Sequence, residues 1–325
     1  TAKAPAGDNN DVYIDAFPDL SSINDIKTYD NLTSLVNLDI PVPNNLNILF
    51  MGDSVSRYQY LDLVYFLSHN GTWVEPGALP SMVYQRRNHS SWNSFYDFTN
   101  SNLNPYEECD CFRTEEDIMN NMNLLNENRY FVDVERNNSV AYLQKFGAQY
   151  PFKTSWNVTD IHKNHTLVKD ASDVSYFGHA DWLGTIEEFV CKMDPRPSMV
   201  VMNSGHWGDG GFANATIQEM VVDALRGCDI ASVYKTTTKK KNEKNSVMRD
   251  YEQQMCNQTD MCYDTGWTGP LVPASFYADP LHFYAPIYSM LNVHLLSMLA
   301  SRSRRQTTSE IESVDVDVDG KKLPK

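Results

Sequence analysis

The sequence predicts an α/β fold in which a parallel sheet carries helices on both faces. Three observations lead there. Short apolar runs at 46–51, 199–202 and 229–234 have strand length and composition. Stretches with apolar residues at helical spacing stand between and after them. Each apolar run also stops in a cluster of small or polar residues, as strands do where they meet loops at one edge of an open sheet.

Taken in order, residues 1–44 are polar and punctuated by proline, and read as an extended arm. The first strand, near 46–51, runs straight into Gly52-Asp53-Ser54, and a helix follows with Tyr58, Leu61, Val64, Tyr65 and Leu67 at its apolar positions. Asn70-Gly71 is its stop signal. From about 71 to 180 the pattern is irregular, Asn-rich and aromatic. It reads as a loop-rich insertion whose Trp73, Trp92 and Trp156 either wall a cleft or fill a core. Within it, 130–134 and 140–143 look like strands whose partners the sequence does not give. Residues 181–192 read as a helix with Trp182, Ile186, Phe189 and Val190 on one side. Pro195 and Pro197 break the chain before the strand 199–202. A helix near 214–226 uses Ile217, Met220, Val221, Ala224 and Leu225. The lysines at 239, 240, 241 and 244 read as a solvated loop. The last helix begins around Pro286 and buries Ile287, Met290, Leu291, Leu295, Met298 and Leu299. Residues 45–300 thus form a single α/β domain, and 301–325 are expected to be a disordered acidic tail.

The chain has 325 residues and a formal net charge of −15, which argues against a nucleic-acid partner. Six cysteines, at 109, 111, 191, 228, 256 and 262, permit three disulfides, with fifteen pairings open. Neither their spacing nor the histidines suggest a metal site, and no cofactor motif is present. Eight glycosylation sequons stand at Asn31, Asn70, Asn88, Asn137, Asn157, Asn164, Asn214 and Asn257. With the even cysteine count they point to the secretory pathway: Golgi lumen, cell surface or exterior. No apolar stretch reaches membrane-spanning length. The chain starts at Thr1, so it reads as a processed protein, and a signal peptide or membrane anchor removed from the front stays open.

Ser54 stands where a strand turns into a helix, beside the positive end of the helix dipole, a place that favours a nucleophile passing through an oxyanion. Asp279 precedes His282 by three residues, a spacing that lets the carboxylate hold one imidazole nitrogen while the other faces a serine. Asn203 ends the second apolar run, close to His206 and Trp207. Each feature also has a plain structural reading: an ordinary turn, a helix cap, a packed core histidine. Arg57 reads equally as a substrate-facing cation and as the salt-bridge partner of Asp53.

Three blocks in this order resemble the GDSL/SGNH hydrolase superfamily, in particular its PC-esterase branch with the trichome-birefringence-like O-acetyltransferases. They are Gly52-Asp53-Ser54-Val55-Ser56-Arg57, then Asn203-Ser204-Gly205-His206-Trp207, then Asp279-Pro280-Leu281-His282-Phe283. The resemblance implies an SGNH-like three-layer α/β/α fold. It implies Ser54 as nucleophile, His282 as base and Asp279 as its orienting acid. Asn203 and the Ser54 N–H would serve the oxyanion, with Gly52, Arg57, His206 and Trp207 near the substrate. The superfamily's second-block glycine has two candidates, Gly147 and Gly178. Pro280 and Phe283 stand where the plant branch has Cys and Trp, which marks a divergent member.

The function that follows is a serine-dependent acyl enzyme acting on O-acyl groups of glycans, most simply O-acetyl. It leans to an O-acetyltransferase, with a deacetylating esterase or a non-catalytic glycan-binding glycoprotein as alternatives. The expected partner is a glycan or another acylated small molecule, the acyl donor being unspecified. His206 in place of His282 is a second choice for the base.

Overall fold

The structure, a computed structural model, describes residues 40–74, 85–103, 107–112, 126–145, 147, 152–154, 177–179 and 181–314. A seven-stranded sheet runs through it in the order β2-β3-β4-β1-β7-β8-β9. Its strands are β1 (Asn47–Gly52), β2 (Glu107–Phe112), β3 (Asn126–Asp133), β4 (Asn138–Gln144), β7 (Met199–Met202), β8 (Ala231–Lys235) and β9 (Met261–Tyr263). The pairs β4–β1, β1–β7, β7–β8 and β8–β9 are parallel; β2–β3 and β3–β4 are antiparallel. A small antiparallel pair, β5 (Phe152–Thr154) with β6 (Phe177–His179), forms a second sheet.

Strand alternation divides the core into two layers. Ile48 and Phe50 of β1 face one way with Val140, Tyr142, Val201 and Val233, under α1 (Ser54–Ser68), α2 (Trp92–Leu103) and α7 (Ala285–Val314). Leu49 and Met51 face the other way with Ala141, Leu143, Val200 and Met202. Above them lie α3 (Trp182–Glu188), α4 (Ala215–Gly227) and α5 (Asp250–Gln258). The expected α/β architecture with helices on both faces is therefore present. A short sixth helix, α6 (Thr268–Leu271), lies between β9 and α7.

The parallel centre is where the sequence was most regular, and β7 has the expected bounds. The edges are new. The expected strands near 130–134 and 140–143 become β3 and β4, and with β2 they extend the sheet. The helix expected over 181–192 ends at Glu188, and a 3-10 turn takes up Val190–Lys192. Met220, expected on the buried stripe of α4, is 47% exposed.

Two expectations about the ends of the chain change or lie outside the described residues. α7 continues to Val314, so 301–314 are helical, not disordered. No Pro or Gly interrupts this stretch, and a helix anchored by a packed first half propagates cheaply into a polar continuation. Residues 315–325 and 1–39 lie outside the described residues. Of the expected arm, Ile40 is buried in the α1 layer, and the Pro43 carbonyl accepts a hydrogen bond from Asn138 Nδ2 at 2.7 Å.

All six cysteines are paired at disulfide distance: Cys109 with Cys111, Cys191 with Cys228 and Cys256 with Cys262. This fits an oxidising, secreted or lumenal setting. No helix among the described residues is long and apolar enough to cross a membrane. Sequon residues Asn70, Asn88, Asn137, Asn214 and Asn257 are all exposed; Asn31, Asn157 and Asn164 lie outside the described residues. Trp73 is buried and stacks on Phe66, and Trp182 is buried against Phe212, so both are core residues. Trp156 lies outside the described residues.

Candidate active site

The site grows from the turn between β1 and α1. Gly52 ends β1 so close to other atoms that a Cβ would come within 2.6 Å of Ser56 Oγ and 3.0 Å of the Asn203 carbonyl. Asp53 is the N-cap of α1, its Oδ1 accepting the Val55 N–H at 2.9 Å. Ser54 opens the helix. Asp53 Oδ2 also accepts the His206 N–H, at 3.3 Å, which ties the first motif block to the second. That approach requires Gly205, where φ is +63° and a Cβ would fall 1.9 Å from the same oxygen.

Ser54 Oγ lies 2.6 Å from His282 Nε2. His282 Nδ1 lies 2.7 Å from Asp279 Oδ2. Asp279 Oδ1 accepts the N–H groups of Leu281 and His282, both at 2.8 Å, so the loop fixes the carboxylate before it meets the ring. Burial works to raise the Asp279 pKa, but the His282 contact and those two N–H groups hold it well below the usual carboxylate range. The carboxylate is therefore ionised at neutral pH. Tyr58, one turn into α1, packs edge-on against the His282 ring with centroids 5.3 Å apart and fixes its other face. The Ser54 N–H has no acceptor among the described residues and stays available at the positive end of α1.

The structure thus brings Ser54, His282 and Asp279 into one hydrogen-bonded chain. It treats the other expected residues differently. Asn203 is buried, and its Nδ2 donates to the carbonyls of Lys235 at 2.8 Å and Thr236 at 3.4 Å. The amide holds the ends of β7 and β8 together and is committed there, not aimed at an oxyanion. Gly147 follows β4, at the sheet edge where β1 ends, and packs against the Trp207 carbonyl. Gly178 lies in β6 of the separate two-stranded sheet, so of the two candidates Gly147 belongs to the sheet edge that holds Ser54. Trp207 is 41% exposed. His206 donates its backbone N–H to Asp53, while neither ring nitrogen has a hydrogen-bond partner. Burial depresses its pKa; Asp53 opposes this, and Arg249, Lys240 and His282 add to the depression.

Arg57 takes neither expected role. Its Nη1 pairs with Glu127 Oε2 at 3.0 Å, not with Asp53. The guanidinium is 2% exposed and lies over the Tyr58 ring, with Trp92 and Phe95 beside it, which leaves no surface for a substrate. Asp53 is spent on the helix cap and His206, and position 57 faces the β2–β3 hairpin. Arg129 continues the pairing to Glu127 at 3.0 Å and to Glu107 at 2.8 Å. Burial works to lower the Arg57 pKa, but Glu127 and the neighbouring tyrosines hold it well above its ordinary value.

Sequence reasoning missed three contributors. Asp53 as cap was legible from its place just before a helix. Tyr58 was placed on the apolar stripe without regard to the histidine. A buried polar chain under the site joins Lys235 Nζ to Gln59 Oε1 at 2.7 Å and Asn292 Nδ2 to Gln59 O and Asp62 Oδ2, both at 3.0 Å. Burial lowers the Lys235 pKa to about 8 and raises that of Asp62 to about 8. No sequence pattern announces this chain.

A larger cavity, about 800 Å³, opens at the opposite end of the strands around Asn47, Ser198 and Asp229 and shares no residue with the Ser54–His282–Asp279 chain. Chemistry, not volume, locates the site. Among the described residues no group of acidic, histidine and cysteine side chains is arranged to hold a metal ion. Compared with protein-family models, with curated proteins and with solved structures, the chain finds no match in any of the three.

Proposed function

We propose that this protein is a serine-dependent acyl enzyme of the SGNH type that acts on O-acyl groups of glycans, O-acetyl groups foremost. One observation carries the reading: the unbroken chain Ser54 Oγ to His282 Nε2 to Asp279, at 2.6 and 2.7 Å, with Ser54 at the carboxyl end of a central parallel strand.

His282 Nε2 takes the Ser54 proton as Oγ attacks the acyl carbonyl carbon. The ionised Asp279 keeps the Nδ1 proton in place and stabilises the imidazolium. The Ser54 N–H and the dipole of α1 meet the oxyanion. When the tetrahedral intermediate collapses, the ester C–O bond breaks. The departing sugar oxygen receives the proton from Nε2, leaving acyl-Ser54. A second hydroxyl, from water or a sugar, gives its proton to Nε2 and attacks the acyl carbonyl; as the acyl–Oγ bond breaks, Nε2 returns that proton to Ser54 Oγ.

The motif blocks favour a sugar as second acceptor, hence an O-acetyltransferase of the secretory pathway. Hydrolysis is the second reading. It is favoured by the exposure of the dyad, 19% for the His282 side chain and 35% for Asp279, which lets water approach. A fluorophosphonate probe should label wild type and not Ser54→Ala; absence of label on both removes the enzyme reading. Mass analysis of an acetylated donor with oligosaccharide acceptors then separates transfer, seen as acetyl gained by the acceptor, from hydrolysis, seen as free acetate alone.

A further inference from the structure

A second cavity, about 440 Å³, is bounded by His206 on one side and by the segment 237–249 on the other. Its size is that of a small-molecule site. It is bonded to both halves of the proposed catalytic centre. His206 N–H donates to Asp53, next to Ser54. Lys241 N–H donates to the Pro280 carbonyl at 2.9 Å, and Tyr277 OH donates to the Lys239 carbonyl at 3.1 Å, fastening the cavity wall to the His282 loop.

The lining holds polar groups with nothing to bond. Thr238 is 3% exposed, yet its Oγ1 has no hydrogen-bond partner. Both ring nitrogens of His206 are buried and equally unpartnered. Leaving such groups unmet is unfavourable, so a cavity lined by residues that carry three of them is suited to a polar occupant. Among its lining residues two cations, Lys239 and Arg249, meet one carboxylate, Glu243. Lys239, expected in a solvated loop, is 7% exposed, donates to the Val247 carbonyl and lies 3.7 Å from Glu243, so that pair is neutral. Arg249 is left over. Its Nη1 donates to the Gly205 carbonyl at 3.2 Å and to Tyr251 OH at 2.7 Å, which orients the guanidinium, while Nε and Nη2 have no acceptor among the described residues. Neighbouring Glu252 gives both oxygens to backbone N–H groups, of Thr237 and of Arg249 itself.

We propose that this cavity is the subsite for a carboxylate-bearing sugar unit, with the carboxylate on Arg249 and ring hydroxyls on Thr238 Oγ1 and the His206 ring. The proposal rests on the acyl-enzyme reading for the identity of the neighbouring chemistry, and it makes the substrate an acidic glycan. A guanidinium held by two hydrogen bonds with its other edge open suits a planar carboxylate. The unpartnered hydroxyl and imidazole supply a mixture of donors and acceptors, which sugar hydroxyls match.

Binding tests this without turnover. Titration calorimetry would compare a methyl hexuronate with the corresponding methyl hexoside on wild type and on Ser54→Ala. The acidic sugar should bind about 10-fold tighter to both. Arg249→Gln should abolish that preference, whereas Lys192→Gln, which removes the same charge beside the opposite cavity, should keep it. Thr238→Val should weaken both sugars several-fold. Equal affinity for the two sugars, a preference that survives Arg249→Gln, or no binding of either at millimolar concentration overturns the proposal. Fluorophosphonate labelling reports separately on the serine, so a failed subsite and a failed enzyme give different results.

Discussion

Helix α1 carries two carboxylate-linked polar systems of opposite character. At its first residue, Ser54 joins His282 and Asp279, whose side chains are partly open to solvent. One turn on, Arg57 enters the Glu127–Arg129–Glu107 network, whose side chains are 0–2% exposed. Contact distances are similar in both. What differs is water. An open dyad can change protonation during a reaction, whereas a closed network must keep its charges matched, because each ion has already lost its hydration. The first is suited to moving a proton and the second to holding α1 against the β2–β3 hairpin.

Substitutions can break this contrast, the largest effect first. His282→Ala should lower acylation of Ser54 by ~10⁴-fold with little change in urea midpoint, read by stopped-flow release from an activated ester. A large loss of stability instead would mean that the dyad is also framework. Arg129→Met should do the reverse. It strands Glu107, leaves Glu127 to Arg57 alone, and should cost about 3–5 kcal/mol in chemical denaturation. A cost below about 1 kcal/mol would show that water enters the network. Asp62 sharpens the comparison, being a buried carboxyl with no cation. Its pKa is raised to about 8, so folded protein keeps a proton that unfolded protein sheds near its ordinary value of 3.8. Stability from this group is therefore full below that value, declines as pH rises towards about 8, and is level above. Asp62→Asn should flatten this slope and add on the order of 2 kcal/mol at pH 7. The amide can accept from Asn292 and donate to Ser289 Oγ, which itself donates to the Ala285 carbonyl. The smallest effect belongs to Arg226→Ala. Its pair with Asp223 is 58–60% exposed and should contribute ~0–0.5 kcal/mol.

The same contrast explains what the sequence disclosed. β1, α1, β7, α4 and β8 were legible because each buries a face with its own period, and the period is local. Ser54 and the Asp279/His282 pair were legible because each sits at the end of such an element. Arg57 was not, because its partner Glu127 stands 70 positions away in a strand whose pairing no local pattern specifies. Asn203 was found but given the wrong direction: its place at the end of β7 shows in sequence, while the turn of its amide towards Lys235 depends on β8 lying alongside. Thr238 was not singled out, since a missing hydrogen bond leaves no trace in composition.

The cysteine pairs are spread unevenly over the two helical layers. Cys191–Cys228 and Cys256–Cys262 both fasten the α3–α4–α5 layer, whereas no cysteine lies in α1 or α7. The wider link spans a sequence separation of 37, worth ~4 kcal/mol in loop entropy. Ser54 and His282 belong to the other layer, whose link, Cys109–Cys111, ties residues only two apart; the segment 237–249 leads into α5. Reduction should therefore loosen selectivity before reactivity. On the proposed function, protein made in a reducing cytosol should keep fluorophosphonate labelling at Ser54 while its preference for the acidic sugar weakens.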